Sequence, residues 1–145
     1  MQIAALGRLD RGDEQLRWLR QLGVDHVVIS GKAQPDVLRR FPPEAGARAG
    51  AHWEFLDLLH LRRRVEDAGL RLVALENPLP PWCYDRVMLG LPGAEIQLQN
   101  LATTVRHAGR AGIGVLGYHW MVNPPGVARA SYRTSMTGAG RGGAR

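Results

Sequence analysis

Four short apolar runs punctuate the chain: Ile3 to Leu6, His26 to Ile29, Leu72 to Leu75 and Val115 to Tyr118. Their continuous rather than alternating apolar character predicts strands buried on both faces. Three segments with helical spacing lie between them. The first, about Asp13 to Leu22, places Leu16, Leu19 and Leu22 on one side. The second, about His52 to Ala68, carries Trp53, Leu56, Leu59 and Val65, with Arg62, Arg63 and Arg64 toward water. In the third, Glu95 to Ala111, Leu98, Leu101, Val105 and Ala108 recur at helical intervals. A glycine follows each helix and a strand follows each glycine, at Gly23, Gly69 and Gly112. Glycine suits the left-handed backbone that closes a helix, so the three mark a loose β-α repeat. The order β-α-β-α-β-α-β requires crossover connections, and hence parallel strands joined by right-handed crossovers. The predicted fold class is α/β.

Two long loops follow strands. Ser30 to Ala51 contains Pro35, Pro42 and Pro43; Glu76 to Gly93 contains Pro78, Pro80, Pro81 and Pro92. Loops on the C-terminal side of parallel strands are where (β/α)8 barrel enzymes build their active sites. An open four-stranded sheet would leave both outer strands unpaired and one face uncovered. The expected architecture is therefore the N-terminal half of a (β/α)8 TIM barrel, since 145 residues fall short of the about 250 that such a barrel needs. A complete small doubly wound domain is the alternative. Residues 1–122 would form the partial barrel, with four strands and three helices, and the Gly/Arg-rich 123–145 a loop or flexible tail.

Composition narrows the function classes. No apolar run approaches the roughly 20 residues that span a bilayer. The start, MQIAALGRLD, has no charged leader before an apolar stretch, so no secretory signal is expected. Cys83 is the single cysteine, which rules out an internal disulfide and makes a cytoplasmic location the default. Through Glu95 the chain holds all 13 acidic residues and 13 of its 19 basic ones, so six later arginines supply the whole net charge of +6. That basic end offers a second reading, a small nucleic-acid-binding protein. Lys32 is the only lysine and no aromatic ladder interleaves with the arginines, which argues against it.

Reactive groups of parallel α/β proteins sit just past the carboxyl ends of strands. That rule selects Arg8, then Ser30 and Lys32, then Glu76 and Asn77, and finally His119, Trp120 and Asn123. Glu76 closes an apolar strand and should be partly desolvated, which suits it to proton transfer or metal binding; a salt bridge or turn cap is the plainer role. His119 could donate to a substrate hydroxyl or act as a base, or be merely structural. Trp120 offers a flat wall for a sugar ring. His52, His60, His107 and His26 show no spacing typical of a metal site, and Cys83 reads as an inert thiol more readily than as a ligand.

Several of these features resemble the mannonate dehydratases. They are Glu76, the LGLPG turn through Gly93, the helix end Gly109-Arg110-Ala111-Gly112-Ile113, the strand end Gly117-Tyr118-His119-Trp120-Met121, and Arg133-Thr134-Ser135. The resemblance implies a cytoplasmic barrel lyase of hexuronate catabolism, removing water from D-mannonate to give 2-keto-3-deoxy-D-gluconate with manganese or ferrous iron. Glu76, His119, Trp120 and Arg133 would bind the sugar acid, and a homo-oligomer would be compatible with the full-length protein. The catalytic base is left unassigned. The family's metal ligands, two histidines, a cysteine and an aspartate, belong to the later part of the barrel, so no residue here inherits them. The chain departs from better-known members at Gly7-Arg8-Leu9, at Cys83-Tyr84-Asp85 and at His119-Trp120. A metal-dependent sugar isomerase or epimerase of the same superfamily would also accommodate these departures.

Overall fold

The computed structural model describes residues 3–9, 12–31 and 39–118. Lys32, His119, Trp120, Asn123, Arg133 and the expected 123–145 tail lie outside the described residues. Strand β1 (Ala4–Gly7) leads to α1 (Glu14–Gln21) and β2 (His26–Ser30). A long loop with a 3-10 turn at Pro43–Ala45 enters α2 (Phe55–Asp67), which returns through β3 (Arg71–Glu76). A second loop carries a 3-10 turn at Pro81–Cys83 and the short α3 (Asp85–Leu89). Then come α4 (Ala94–Arg110) and β4 (Leu116–Gly117). All four expected strands and all three expected helices form; the proline-rich loops hold the elements that sequence periodicity does not reveal.

The strands pair in parallel, in the order β1-β2-β3-β4. This order settles the architecture. Right-handed crossovers that always step in the same direction stack every helix on the same side of the sheet, as in a barrel wall, whereas a doubly wound domain reverses and covers both faces. Burial agrees with the barrel. Val27, Ile29, Leu72 and Leu75 form one core with Leu16 and Leu19 of α1, Leu58 and Val65 of α2, and Ala108 of α4. On the opposite face Val28, Ala74, Ser30 and Glu76 are only half-buried, and Leu6 is 53% exposed. The chain forms part of a (β/α)8 barrel.

Leu72 and Leu75 are an odd number of positions apart, so a regular strand would turn them to opposite faces. A register shift resolves this. Val27 pairs with Leu72 but Val28 pairs with Ala74, which leaves Val73 as the extra residue and both leucines under the helices.

The helices sit differently in phase from the simplest apolar stripe. Leu22 and Leu56 are exposed, while α2 turns Leu58 and Val65 inward and packs Leu61 against the core. On α4 Ala108 is buried and Leu101 half-buried, but Leu98 and Val105 face outward at 45% and 51% exposure. With Leu116 and the exposed Val115 and Tyr118, these side chains make an apolar flank along the β4 edge. An apolar groove of about 280 Å³ lies in it, lined by Pro78, Leu79, Tyr84, Leu101, Val105 and Leu116 among others. In a barrel, this flank is where the next β-α unit packs.

The three helix-closing glycines share one geometry. Gly23, Gly69 and Gly112 have φ of 80°, 77° and 75°. Each helix closes with a backbone bond from the residue after the glycine to a carbonyl five residues back: Val24 to Leu19, Leu70 to Val65, and Ile113 to Ala108. In each case two apolar residues are thereby joined, the usual signature of this cap. Around Gly23 a Cβ would meet nothing within 4 Å. Gly23→Ala should therefore cost only the left-handed backbone term, about 1–2 kcal/mol of unfolding free energy by urea titration. A neutral result would show that the cap is relaxed.

Candidate functional site

The carboxyl ends of the strands line up in register. Ser30 pairs with Glu76, and Glu76 with Gly117. Because Ile29 and Leu75, one residue earlier, are fully buried against the helices, Ser30 and Glu76 turn to the open face of the sheet. The Glu76 side chain runs alongside Gly117, whose absent Cβ would lie 3.7 Å from Glu76 Cγ. Asn77 follows in the left-handed region at φ 46° and donates its N–H to Gly117 O at 2.7 Å. Arg8, exposed after β1, has its own N–H bound to Gln15 Oε1 at 2.7 Å. The structure thus brings Ser30, Glu76 and Asn77 to one rim of the sheet.

The loops above this rim are interlocked. Trp53, in the loop after β2, donates its indole N–H to Pro78 O of the loop after β3 at 2.6 Å. Trp82, in the loop after β3, donates back to Phe41 O at 2.8 Å. Gly31 and Gly46 permit the close approach: a Cβ on Gly31 would fall 2.8 Å from Asn77 O, and one on Gly46 only 2.0 Å from Trp82 O. No side chain fits at Gly46.

A buried polar stripe on α4 secures both loops. Gln97 Nε2 lies within hydrogen-bond distance of Gly46 O, Trp82 O and Asp85 Oδ1, at 3.1, 3.0 and 2.8 Å. Its Oε1 accepts from the N–H groups of Arg86 and Val87 at 2.9 and 3.2 Å. Asn100 Nδ2 donates to Arg48 O at 2.8 Å, and its Oδ1 accepts from Gly50 N at 3.0 Å. Thr104 Oγ1 accepts from Trp53 N at 3.2 Å. His107 Nδ1 sits 2.7 Å from Trp53 O. Leucine periodicity conceals this stripe. Its signal in the sequence is the recurrence of donor-acceptor side chains at helical intervals through Gln97, Asn100, Thr104 and His107.

The stripe ends beside a cluster that sequence spacing gave no reason to expect. His52, Glu54 and His107 bring their ligand-type atoms within 4.8 Å of one another. Two of the three come from the segment entering α2 and the third from α4, so no short motif announces them. Cys83 behaves as the sequence suggests. It is buried, and burial, followed by the nearby Asp85 carboxylate, pushes its thiol up to about 12.

The family model for D-mannonate dehydratase (UxuA) matches residues 10–141. The chain belongs to this family. A mannonate dehydratase from Geobacillus thermodenitrificans is 32% identical over 109 residues, covering 70% of this chain and 28% of the relative. One from Brachyspira hyodysenteriae is 28% identical over 107 residues, covering 73% and 29%. The crystal structure of mannonate dehydratase from Streptococcus suis serotype 2 superposes with a TM-score of 0.63 at 24% identity, over 83% of this chain and 30% of that one. The chain therefore spans less than a third of these mannonate dehydratases, and the structural match supports the barrel fold.

Barrel enzymes build their sites at the strand ends, and the described residues there do not make a metal-binding set. Among the described residues, Glu76 belongs to no group of three ligand-type side chains. Cys83 is buried and, among the described residues, belongs to no group of three ligand-type side chains. His52, Glu54 and His107 are carried by α4 and the segment entering α2 rather than by the strands themselves.

Two measurements follow. Gln97→Leu strands carbonyl and amide groups of both loops and should lower stability by about 1–3 kcal/mol, more than the exposed Gln99→Leu, in denaturant titrations. Cys83 should react with a disulfide reagent at pH 8 only after denaturant is added; rapid modification of the folded chain would contradict its burial.

Proposed function

We propose that this chain provides the opening part of a mannonate dehydratase barrel, acting in hexuronate catabolism on D-mannonate to release water and 2-keto-3-deoxy-D-gluconate. Membership of the family across residues 10–141 is the observation that carries this reading. The open rim bearing Ser30, Glu76 and Asn77 supports it, because barrel enzymes assemble their substrate sites from successive strand ends.

In this reading Glu76 lies beside the sugar acid and accepts hydrogen bonds from its hydroxyls. His119 and Trp120 continue the same wall, one as a hydrogen-bonding partner and the other as an apolar platform. Arg133 pairs with the substrate carboxylate through two parallel N–H···O bonds, the arrangement that a guanidinium makes best. The manganese or ferrous ion of the family would be held outside the described residues. Residues 119–122 would continue the barrel and 123–145 form the loop or tail beyond it. A cytoplasmic location is consistent with the single cysteine. No helix among the described residues is long and apolar enough to cross a membrane. A homo-oligomer of the full-length protein fits the same reading.

The test grafts this chain in place of the matching part of the Geobacillus thermodenitrificans relative and measures manganese-dependent loss of D-mannonate. The isolated chain should show none, the hybrid should be active, and Glu76→Gln in the hybrid should reduce kcat/KM by about tenfold or more, the loss expected of a charge-assisted hydrogen bond. An active, well-folded hybrid indifferent to Glu76→Gln would remove Glu76 from the site. A folded hybrid with no mannonate turnover would count against the substrate assignment.

A further inference from the structure

We propose that His52, Glu54 and His107 form a binding site for a zinc-class divalent cation that joins the segment entering α2 to helix α4. The proposal goes beyond the dehydratase reading and does not depend on it. It starts from how Trp53 is held. That residue is fixed at three atoms: N to Thr104 Oγ1, Nε1 to Pro78 O, and O to His107 Nδ1. Its side chain is buried in the core. The chain is extended at Glu54, with φ −77° and ψ 149°. His52 and Glu54 flank the anchored Trp53 on either side, and both reach toward His107.

The result is a convergent donor set. His52 Nε2 lies 3.1 Å from Glu54 Oε1, the His107 ring approaches the same carboxylate, and one ligand-type atom of each residue falls within 4.8 Å of the others. The two imidazole rings meet edge to face with centroids 5.7 Å apart. Donor atoms sharing one zinc at about 2.0–2.2 Å sit roughly 3.3 Å from one another in tetrahedral geometry, so the His52–Glu54 separation already matches. Closing the rest takes side-chain rotation, and Glu54, whose side chain is 56% exposed, has room for it.

Chemistry selects the class of ion. Two imidazoles and one carboxylate suit zinc and its neighbours cobalt and nickel, with a remaining position for water, whereas magnesium and calcium prefer all-oxygen sets. A carbonyl oxygen only accepts, so the Trp53 carbonyl fixes the proton on His107 Nδ1 and leaves the lone pair on Nε2. Coordination through Nε2 keeps that bond, which is how backbone carbonyls orient metal-bound histidines. The ion would tie the second β-α unit to the third.

The test titrates the untagged, metal-free 145-residue chain with Co(II) and follows the visible absorption of the bound ion, then displaces it with Zn(II). One Co(II) per chain is expected, with a rise of several degrees in the unfolding midpoint. His52→Ala and Glu54→Gln should each weaken binding by about tenfold or more, while His60→Ala leaves it unchanged. Neither informative variant touches the Trp53 anchors, and circular dichroism checks the fold, above all for the largely covered His52. Absence of saturable binding, or equal binding by His52→Ala and Glu54→Gln, overturns the proposal. Mannonate plays no part in the readout, so its outcome is independent of the substrate assignment.

Discussion

The contact between α4 and the two loops before it holds the site together. Gln97, Asn100, Thr104 and His107 spend most of their hydrogen bonds on backbone groups of the irregular residues 46–53 and of the short helical turns in 82–87. A loop buried under a helix must find partners for its amides and carbonyls, or lose more free energy than its packing returns. This polar stripe provides those partners. It permits Phe41, Trp53, Leu79 and Cys83 to enter the core from loops rather than from helices or strands.

The same arrangement explains why the apolar residues of α4 face two ways. Its inner face is occupied by the stripe, so Leu98 and Val105 are left for the flank along β4. α2 is tied in by charge as well. Arg62 pairs with Glu66 at 2.7 Å and donates to Ala111 O, one of the carbonyls closing α4, at 3.0 Å. Arg64 reaches Asp13 at the start of α1 at 2.6 Å. Arg110 lies over the Phe55 ring at 4.7 Å. These partly exposed contacts are individually weak and supplement the apolar packing that docks the helices on the sheet.

Much of this architecture is legible in the sequence because it rests on local rules. Apolar runs, helical spacing and the glycines at 23, 69 and 112 specify strands, helices and caps without reference to distant residues. Helix phase is less legible: the leucines around Leu56 to Leu61 offer several apolar faces, and only the sheet decides that Leu58 lies inside. The Ser30–Glu76 rim follows from the strand-end rule. The stripe and the His52–Glu54–His107 cluster do not, since their members meet only when two β-α units pack. The short helix Asp85–Leu89 hides among prolines, where periodicity has too few residues to register.

The two bare borders of the sheet have a consequence for assembly. β1 and β4 each present a parallel ladder with no neighbour on one side among the described residues. Each strand added beside β4 pairs that border but opens another on its own far side, and β1 stays bare until the last strand docks against it. Closure should accordingly behave as a single cooperative event, in which intermediate arcs gain little and the final junction is rewarded at both ends.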